Sequence, residues 1–257
     1  MKGPSRGHGL GGEQIEGRRA VYELLAARRR RVREVWVAET ARNDELITEI
    51  LELCARHGVP VRNTSVDALR LEARTEAPQG VLAHAEELPT SPLSSLCETT
   101  GTAHPFLLAL DGVTDPQNLG SLIRTGECAG ITGLILPKHR SAHVSPTVTK
   151  ASAGAVEHVL ISLVPGLPAA LAECKKRRVW TVGLDPGGNV DIYGLEVADQ
   201  PIALVLGSEG SGLSQLTKQR CDVLARIPQA GSILSLNVAA AGAIALFEIA
   251  RRRCVLS

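Results

Sequence analysis

Short apolar runs that alternate with helical periodicity constrain this chain more than any other feature. Strand-like runs fall at 106–110, 133–136, 159–163, 179–184 and 202–206, with helical segments between them and a long apolar helix expected at 237–253. Strands separated by helices pair in parallel, because each crossover returns the chain to the same end of the sheet. Parallel strands need cover on both faces, so the expected class is α/β with a mainly parallel C-terminal sheet. No internal repeat is visible.

A smaller α/β pattern precedes it. Ala20, Val21, Leu24 and Leu25 recur at helical spacing, 32–38 is a β-branched run around Trp36, and Leu46, Ile47, Ile50, Leu51 and Cys54 are again helical. Gly58 breaks that helix; a strand at 59–62, a helix at 66–71 and a strand at 80–85 follow. At roughly 100–200 residues per domain, 257 residues allow one large domain or two small ones. The expected division is a disordered tail at 1–12, a module at 13–88, a Pro/Ser/Thr-rich linker at 89–104 and a second domain at 105–257.

Composition excludes several classes. The net charge is +1, from 28 basic and 27 acidic residues, which rules out a basic coat that wraps nucleic acid wholesale. Two Phe, two Tyr and two Trp are too few to grip a single strand by stacking many bases. Charge is locally uneven, however: Arg18, Arg19, Arg28, Arg29, Arg30, Arg31 and Arg33 cluster against only Glu23. That cluster reads either as a phosphate-contacting surface or as an exposed helix end.

The six cysteines form no CxxC, which excludes a zinc ribbon and a thioredoxin-type motif. Cys54 and His57 make a CxxH with no second ligand pair, so a helix end is expected there and no metal. Scattered cysteines, no apolar N-terminal core and no apolar run long enough to span a bilayer point to a cytoplasmic protein without membrane contact.

Chemistry concentrates in loops of the second domain that combine small and polar residues. One runs Asp111-Gly112 through Asp115-Pro116-Gln117-Asn118-Leu119-Gly120 to Arg124; a second is Arg140-Ser141-Ala142 with, further on, Lys150 through Ala155. The others are Leu206-Gly207-Ser208-Glu209-Gly210-Ser211-Gly212, and Ile227-Pro228-Gln229 with Ser235-Leu236-Asn237. Dinucleotide-binding, Walker and nucleophile-elbow patterns are all absent. Ligands of parallel sheets collect outside the carboxyl ends of strands, so these loops are expected to converge. Singly, each residue has a plain alternative: Glu209 a turn, Asn118 the cap of a helix to Gly130, Arg124 a solvated cation, Ser235-Leu236-Asn237 an N-terminal cap.

Three of these motifs, in this order, resemble the SpoU/TrmH group of the SPOUT RNA ribose 2′-O-methyltransferases, over essentially 106–253. The first module, with Ile15-Glu16-Gly17 and Gln79-Gly80-Val81, looks like the ribosomal-protein-L30-like substrate domain of the large-subunit rRNA branch. The resemblance implies a trefoil knot that holds S-adenosylmethionine, with Gly207, Ile227 and Leu236 as cofactor contacts. It implies Asn118, Arg124, Glu209, Ser235 and Asn237 as catalytic residues, a homodimer with Arg124 reaching the partner's site, and RNA, foremost a 23S rRNA guanosine, as substrate. A guanidinium keeps its proton above pH ~12, so Arg124 is better suited to bind phosphate and a developing oxyanion than to act as a base. The chain departs from the pattern at Pro78, Gln229 and Ala239, where His, Met and a hydroxyl residue are common. tRNA ribose methylation, a resistance-type rRNA methyltransferase and a non-catalytic RNA-binding or ribosome-assembly factor remain the alternatives.

Overall fold

The computed structural model describes residues 10–99, 101, 104–139, 142–232 and 235–253. The expected tail at 1–9 and the loop residues Arg140 and Ser141 lie outside them. Leu10–Gly12, expected in the tail, are placed: Leu10 is buried and Gly11 bridges Val144. The chain forms two compact units, Met1–Thr90 with His143–His158, and Ser91–Ala142 with Val159–Ser257.

The first unit contains β1 (Gln14–Glu16), α1 (Arg18–Ala27), β2 (Val32–Ala38), α2 (Glu45–His57), β3 (Val61–Thr64), α3 (Val66–Glu72) and β4 (Val81–Ala85). The strands lie in the order β1-β4-β2-β3; only β2 and β3 pair in parallel. Alternate residues of β2, Val35 and Val37, join Val21, Leu24 and Leu25 of α1 and Ile47, Ile50 and Cys54 of α2 in one core. Gly58 ends α2 in the left-handed conformation (φ 67°), so the CxxH is the helix end expected. β1 escaped the periodicity because it has three residues. Its Glu16 is fully buried, and its carboxylate accepts from the backbone N–H groups of Arg74 (2.7 Å) and Thr75 (3.0 Å).

His143–His158, expected in the second domain, packs with this unit. Its short helix is capped by Ser145, and Glu157, 1% exposed, pairs with Arg30, 2% exposed, at 2.5 Å. Arg30 Nη1 also donates to the carbonyls of Gly12 (2.6 Å) and Glu86 (2.5 Å), and Arg29 donates to that of Glu157 (3.2 Å). An ion pair this deep is tolerable because its remaining donors are satisfied.

In chain order the remaining elements are α4 (Leu93–Leu96), β5 (Phe106–Asp111), α5 (Pro116–Cys128), β6 (Gly133–Pro137), α6 (Pro146–Ala151, the short helix above), β7 (Ile161–Val164), α7 (Leu167–Lys176), β8 (Trp180–Leu184), β9 (Val190–Asp191), β10 (Ile202–Gly207), α8 (Gln215–Arg220), β11 (Val223–Arg226) and α9 (Val238–Arg252). Seven strands of the second unit form a wholly parallel sheet in the order β7-β6-β5-β10-β8-β11-β9. β9 and β11 were not expected; they are short and carry polar residues. α4 lies inside the segment expected as a linker, and Leu96 and Cys97 belong to the core with Leu107, Ile135 and Leu171. α9 packs on α5 through Gly242, where an added Cβ would stand 2.4 Å from Leu122. Among the described residues no helix is long and apolar enough to cross a membrane.

Candidate active site

The strand order turns outward in both directions from the β5–β10 pair, which makes this the topological switch point of the sheet. β5 and β10 run in full register, Ile202 beside Phe106 and Gly207 beside Asp111, so their carboxyl ends are level. The Asp111–Asp115 and Ser208–Ser214 loops therefore start side by side. Asp111 ties them together: its Oδ2 accepts from the backbone N–H of Ser214 at 2.8 Å.

α5 begins two residues earlier than expected, and this changes the role of Asn118. Asp115 is the N-cap, accepting from the Asn118 N–H at 2.7 Å, and Pro116 occupies the first turn, where its missing N–H costs nothing. Asn118 is freed from capping and points its amide across to the other loops. Asn237 is the N-cap of α9, as expected; its Oδ1 accepts from Ala239 N–H (2.9 Å) and Ala240 N–H (3.2 Å).

Asn118, Asn237 and Glu209 close a hydrogen-bonded triangle. Asn118 Nδ2 donates to Glu209 Oε2 (3.0 Å), Asn237 Nδ2 donates to Glu209 Oε1 (2.9 Å), and Asn237 Nδ2 also donates to Asn118 Oδ1 (3.0 Å). A carboxylate only accepts, so Glu209 fixes the orientation of both amides. Asn237 thereby commits both amide hydrogens, while one hydrogen on Asn118 Nδ2 is left for a ligand.

Beside the triangle is a cavity of about 300 Å³, at the lower end of the ~300–1,000 Å³ range of ligand pockets. Gly207, Glu209, Ile227, Ser235, Leu236 and Asn237 all line it, so six of the eight expected site residues converge there. Gly207 is required by a close approach: an added Cβ would lie 2.1 Å from the carbonyl carbon of Gly212. Gly210 (φ 87°) and Gly212 (φ 65°) turn the loop back, and Ser208 and Gly212 bridge one another.

Arg124 stands apart. It is exposed on α5, does not line the cavity, and makes no hydrogen bond or ion pair among the described residues. Glu209 hydrogen-bonds the two asparagines and not Arg124. The sequence reading also missed Asp185 and Pro186, which line the cavity from the end of β8. Their place after a parallel strand was the signal. The Asp185 carboxylate is compensated: it pairs with Lys218 Nζ (2.6 Å) and accepts from Gly187 N–H (2.9 Å).

The pocket can hold a flat, largely apolar ligand between Leu206, Ile227, Leu236 and Val238, with backbone groups of the glycine loop at its edge. Among the described residues no group of three or more His, Cys, Asp or Glu could hold a metal ion.

The model of the SpoU rRNA Methylase family matches residues 105–247, and that for RNA 2′-O ribose methyltransferase substrate binding matches residues 14–91. The chain is 39% identical over 248 residues to the 23S rRNA (guanosine-2′-O-)-methyltransferase RlmB of Pseudomonas aeruginosa, covering 95% of this chain and 98% of that protein. It is similar in structure to the SpoU methyltransferase AviRb of Streptomyces viridochromogenes in complex with AdoMet (TM-score 0.79, 27% identity, 94% of this chain and 90% of that one). It is also similar to an AdoMet-bound rRNA methyltransferase of Sinorhizobium meliloti (TM-score 0.77, 27% identity, 95% and 88%).

Proposed function

Because the chain belongs to the SpoU rRNA methylase family, we propose that it methylates a ribose 2′-hydroxyl of RNA, using S-adenosylmethionine, with a guanosine of 23S rRNA as its target. The observation that carries this reading is the Asn118–Glu209–Asn237 triangle set against the cavity of Gly207, Ile227 and Leu236.

The cavity fits the methyl donor. Its apolar walls suit an adenine face, its glycine backbone suits an adenine edge, and its one lining aspartate is neutralised by Lys218. When bound, the donor supplies a methyl group on a positively charged sulfur. Gly207, Ile227 and Leu236 hold the donor, while Asn118 offers its unspent N–H to the nucleotide. Asn237 and Glu209 keep that N–H aimed, and Ser235 contacts the nucleotide from the start of the α9 segment. Such alignment is the main service an in-line transfer needs from the protein.

Arg124 binds the neighbouring phosphate and the developing oxyanion. Its distance from the cavity is reconciled by a homodimer in which it serves the partner's site. The exposed face of α9, with Ala240, Phe247 and half-buried Ile244, supplies an apolar surface for that contact. The family reading also carries a trefoil knot, with which the packing of the last helix, α9, on α5 agrees. It further carries a cytoplasmic location, where rRNA is found.

The test is incubation with methyl-labelled S-adenosylmethionine and separate pools of unmodified rRNA and tRNA. Label in an alkali-resistant dinucleotide of rRNA is the expected result. Label only in tRNA would replace the rRNA assignment, and no label in rRNA, tRNA or ribosomal assembly particles would sink the enzymatic reading.

A further inference from the structure

Arg18 and Arg19 of the arginine cluster pair with Asp44 and Glu23, and the structure divides the other five into two sets. Arg29 and Arg30 turn inward: Arg30 is spent on Glu157 and two carbonyls, and Arg29 on the carbonyls of Val156 and Glu157. Arg28, Arg31 and Arg33 are exposed, and their guanidinium groups have no hydrogen bond or ion pair among the described residues. All three line one cavity of about 710 Å³, together with His57 at the end of α2. Glu86 is the one carboxylate lining it.

Local backbone features aim two of the three. Arg28 ends α1 with φ +52°, in the left-handed region where glycine sits without steric cost and arginine does not. Arg33 is the extra residue of a β-bulge: Val32 opposes Ala85 and Glu34 opposes His84, leaving Arg33 unpaired in the ladder. A bulge redirects the side chain it carries. Favourable placement at a helix C-terminus accounts for Arg28 alone, since Arg31 and Arg33 lie beyond the helix. Three free guanidiniums around one concave surface exceed what a single phosphate needs and suit a run of them.

We infer that Arg28, Arg31 and Arg33 form the wall of a groove for consecutive phosphates of the RNA backbone, with Arg29 and Arg30 as the posts that hold this wall. This rests on the reading of the chain as an RNA methyltransferase, and it assigns positioning of the RNA, not base selection, to these residues.

The test measures binding of the full chain to a fragment of unmodified 23S rRNA as a function of KCl concentration. The wild type is compared with an Arg28→Gln, Arg31→Gln, Arg33→Gln variant. A charge-matched control carries Lys176→Ala, Arg177→Ala and Arg178→Ala, and a third variant replaces the same three groove arginines by Lys. Each lost phosphate contact flattens the log–log salt slope by about 0.7, so the Gln variant should lose roughly two units. The control and the Lys variant should keep the wild-type slope, and the Gln variant should keep wild-type melting and S-adenosylmethionine affinity.

Equal slopes for wild type and Gln variant would overturn the groove, as would an equal loss in the control or a loss in the Lys variant. Should the Gln variant fail to fold, the Lys variant and single Gln substitutions decide the matter by the same slope. A wild-type chain that binds RNA steeply and transfers no methyl group would defeat the methyltransferase reading and leave the groove standing. Methyl transfer with an unchanged slope in the Gln variant would do the reverse.

Discussion

Glu209 is a lone acid between small residues, and on sequence grounds a turn residue; its contacts make it the hub that orients two amides. Replacing it with Gln puts an NH2 group where an acceptor stood, so one of the two asparagine N–H groups must lose its partner. Misplacing a positioning group by about 1 Å costs on the order of 10²-fold in rate. Glu209→Gln should therefore lower kcat by about that factor in single-turnover assays. Wild-type kcat in this variant would remove Glu209 from the mechanism. Arg124→Ala should lower kcat by about 10²–10³-fold and leave the S-adenosylmethionine Kd unchanged, as measured by calorimetry. An equal loss in both would make Arg124 a cofactor ligand instead. At this scale six of the eight residues singled out in the sequence line one cavity, while their hydrogen-bond partners were not legible. Asn118 looked like a cap because Asp115-Pro116 was not recognised as the N-cap and first turn of α5. The bond from Asn118 to Glu209 spans 91 residues, a distance over which local spacing carries no information.

β11 illustrates what was and was not legible among the elements. The central strands β5, β6 and β10 announce themselves as buried apolar runs, whereas β11 has four residues, one of them an exposed arginine. Side chains at its start secure it to β8. Asp222 pairs with Lys175 at 2.8 Å and accepts from the Thr181 hydroxyl (2.7 Å) and N–H (2.9 Å). Burial pushes the Asp222 carboxyl up, but these hydrogen bonds and the lysine charge outweigh it and hold the group below the usual carboxylate value. A depressed carboxylate contributes stability above its unfolded pKa of about 4 and loses that contribution as pH falls through the folded value. Asp222→Asn should be less stable than wild type at pH 7 in denaturant unfolding, with the gap closing below about pH 4. A gap independent of pH would mean that the aspartate acts by shape alone.

Over the whole molecule, sequence order misleads in one place. His143–His158 follows β6 and precedes β7, so periodicity assigns it to the second domain, yet it completes the first unit by burying Val144, Val148 and Val156. Nothing local marks this, because its ion-pair partner Arg30 is 127 residues away. Deleting residues 10–90 should consequently leave an apolar crossover without cover, and size-exclusion chromatography should find aggregate. Replacing 143–158 by a short Gly/Ser link in the same deletion should restore a soluble species; failure of that rescue would place the defect elsewhere. Glu157→Ala should cost about 3–5 kcal/mol, because it strands the Arg30 charge in the interior. A drop under about 1 kcal/mol in equilibrium unfolding would show that water reaches the site.

The same pair has a consequence for synthesis of the chain. Translation adds roughly 5–20 residues per second, so the 127 residues between Arg30 and Glu157 take about 6–25 s to make. Until Glu157 is made, Arg30 has no access to the counter-charge it pairs with in the finished unit. By then β5 and β6 have already been made, so the last stitch of the first unit is delivered by a chain that has begun the second.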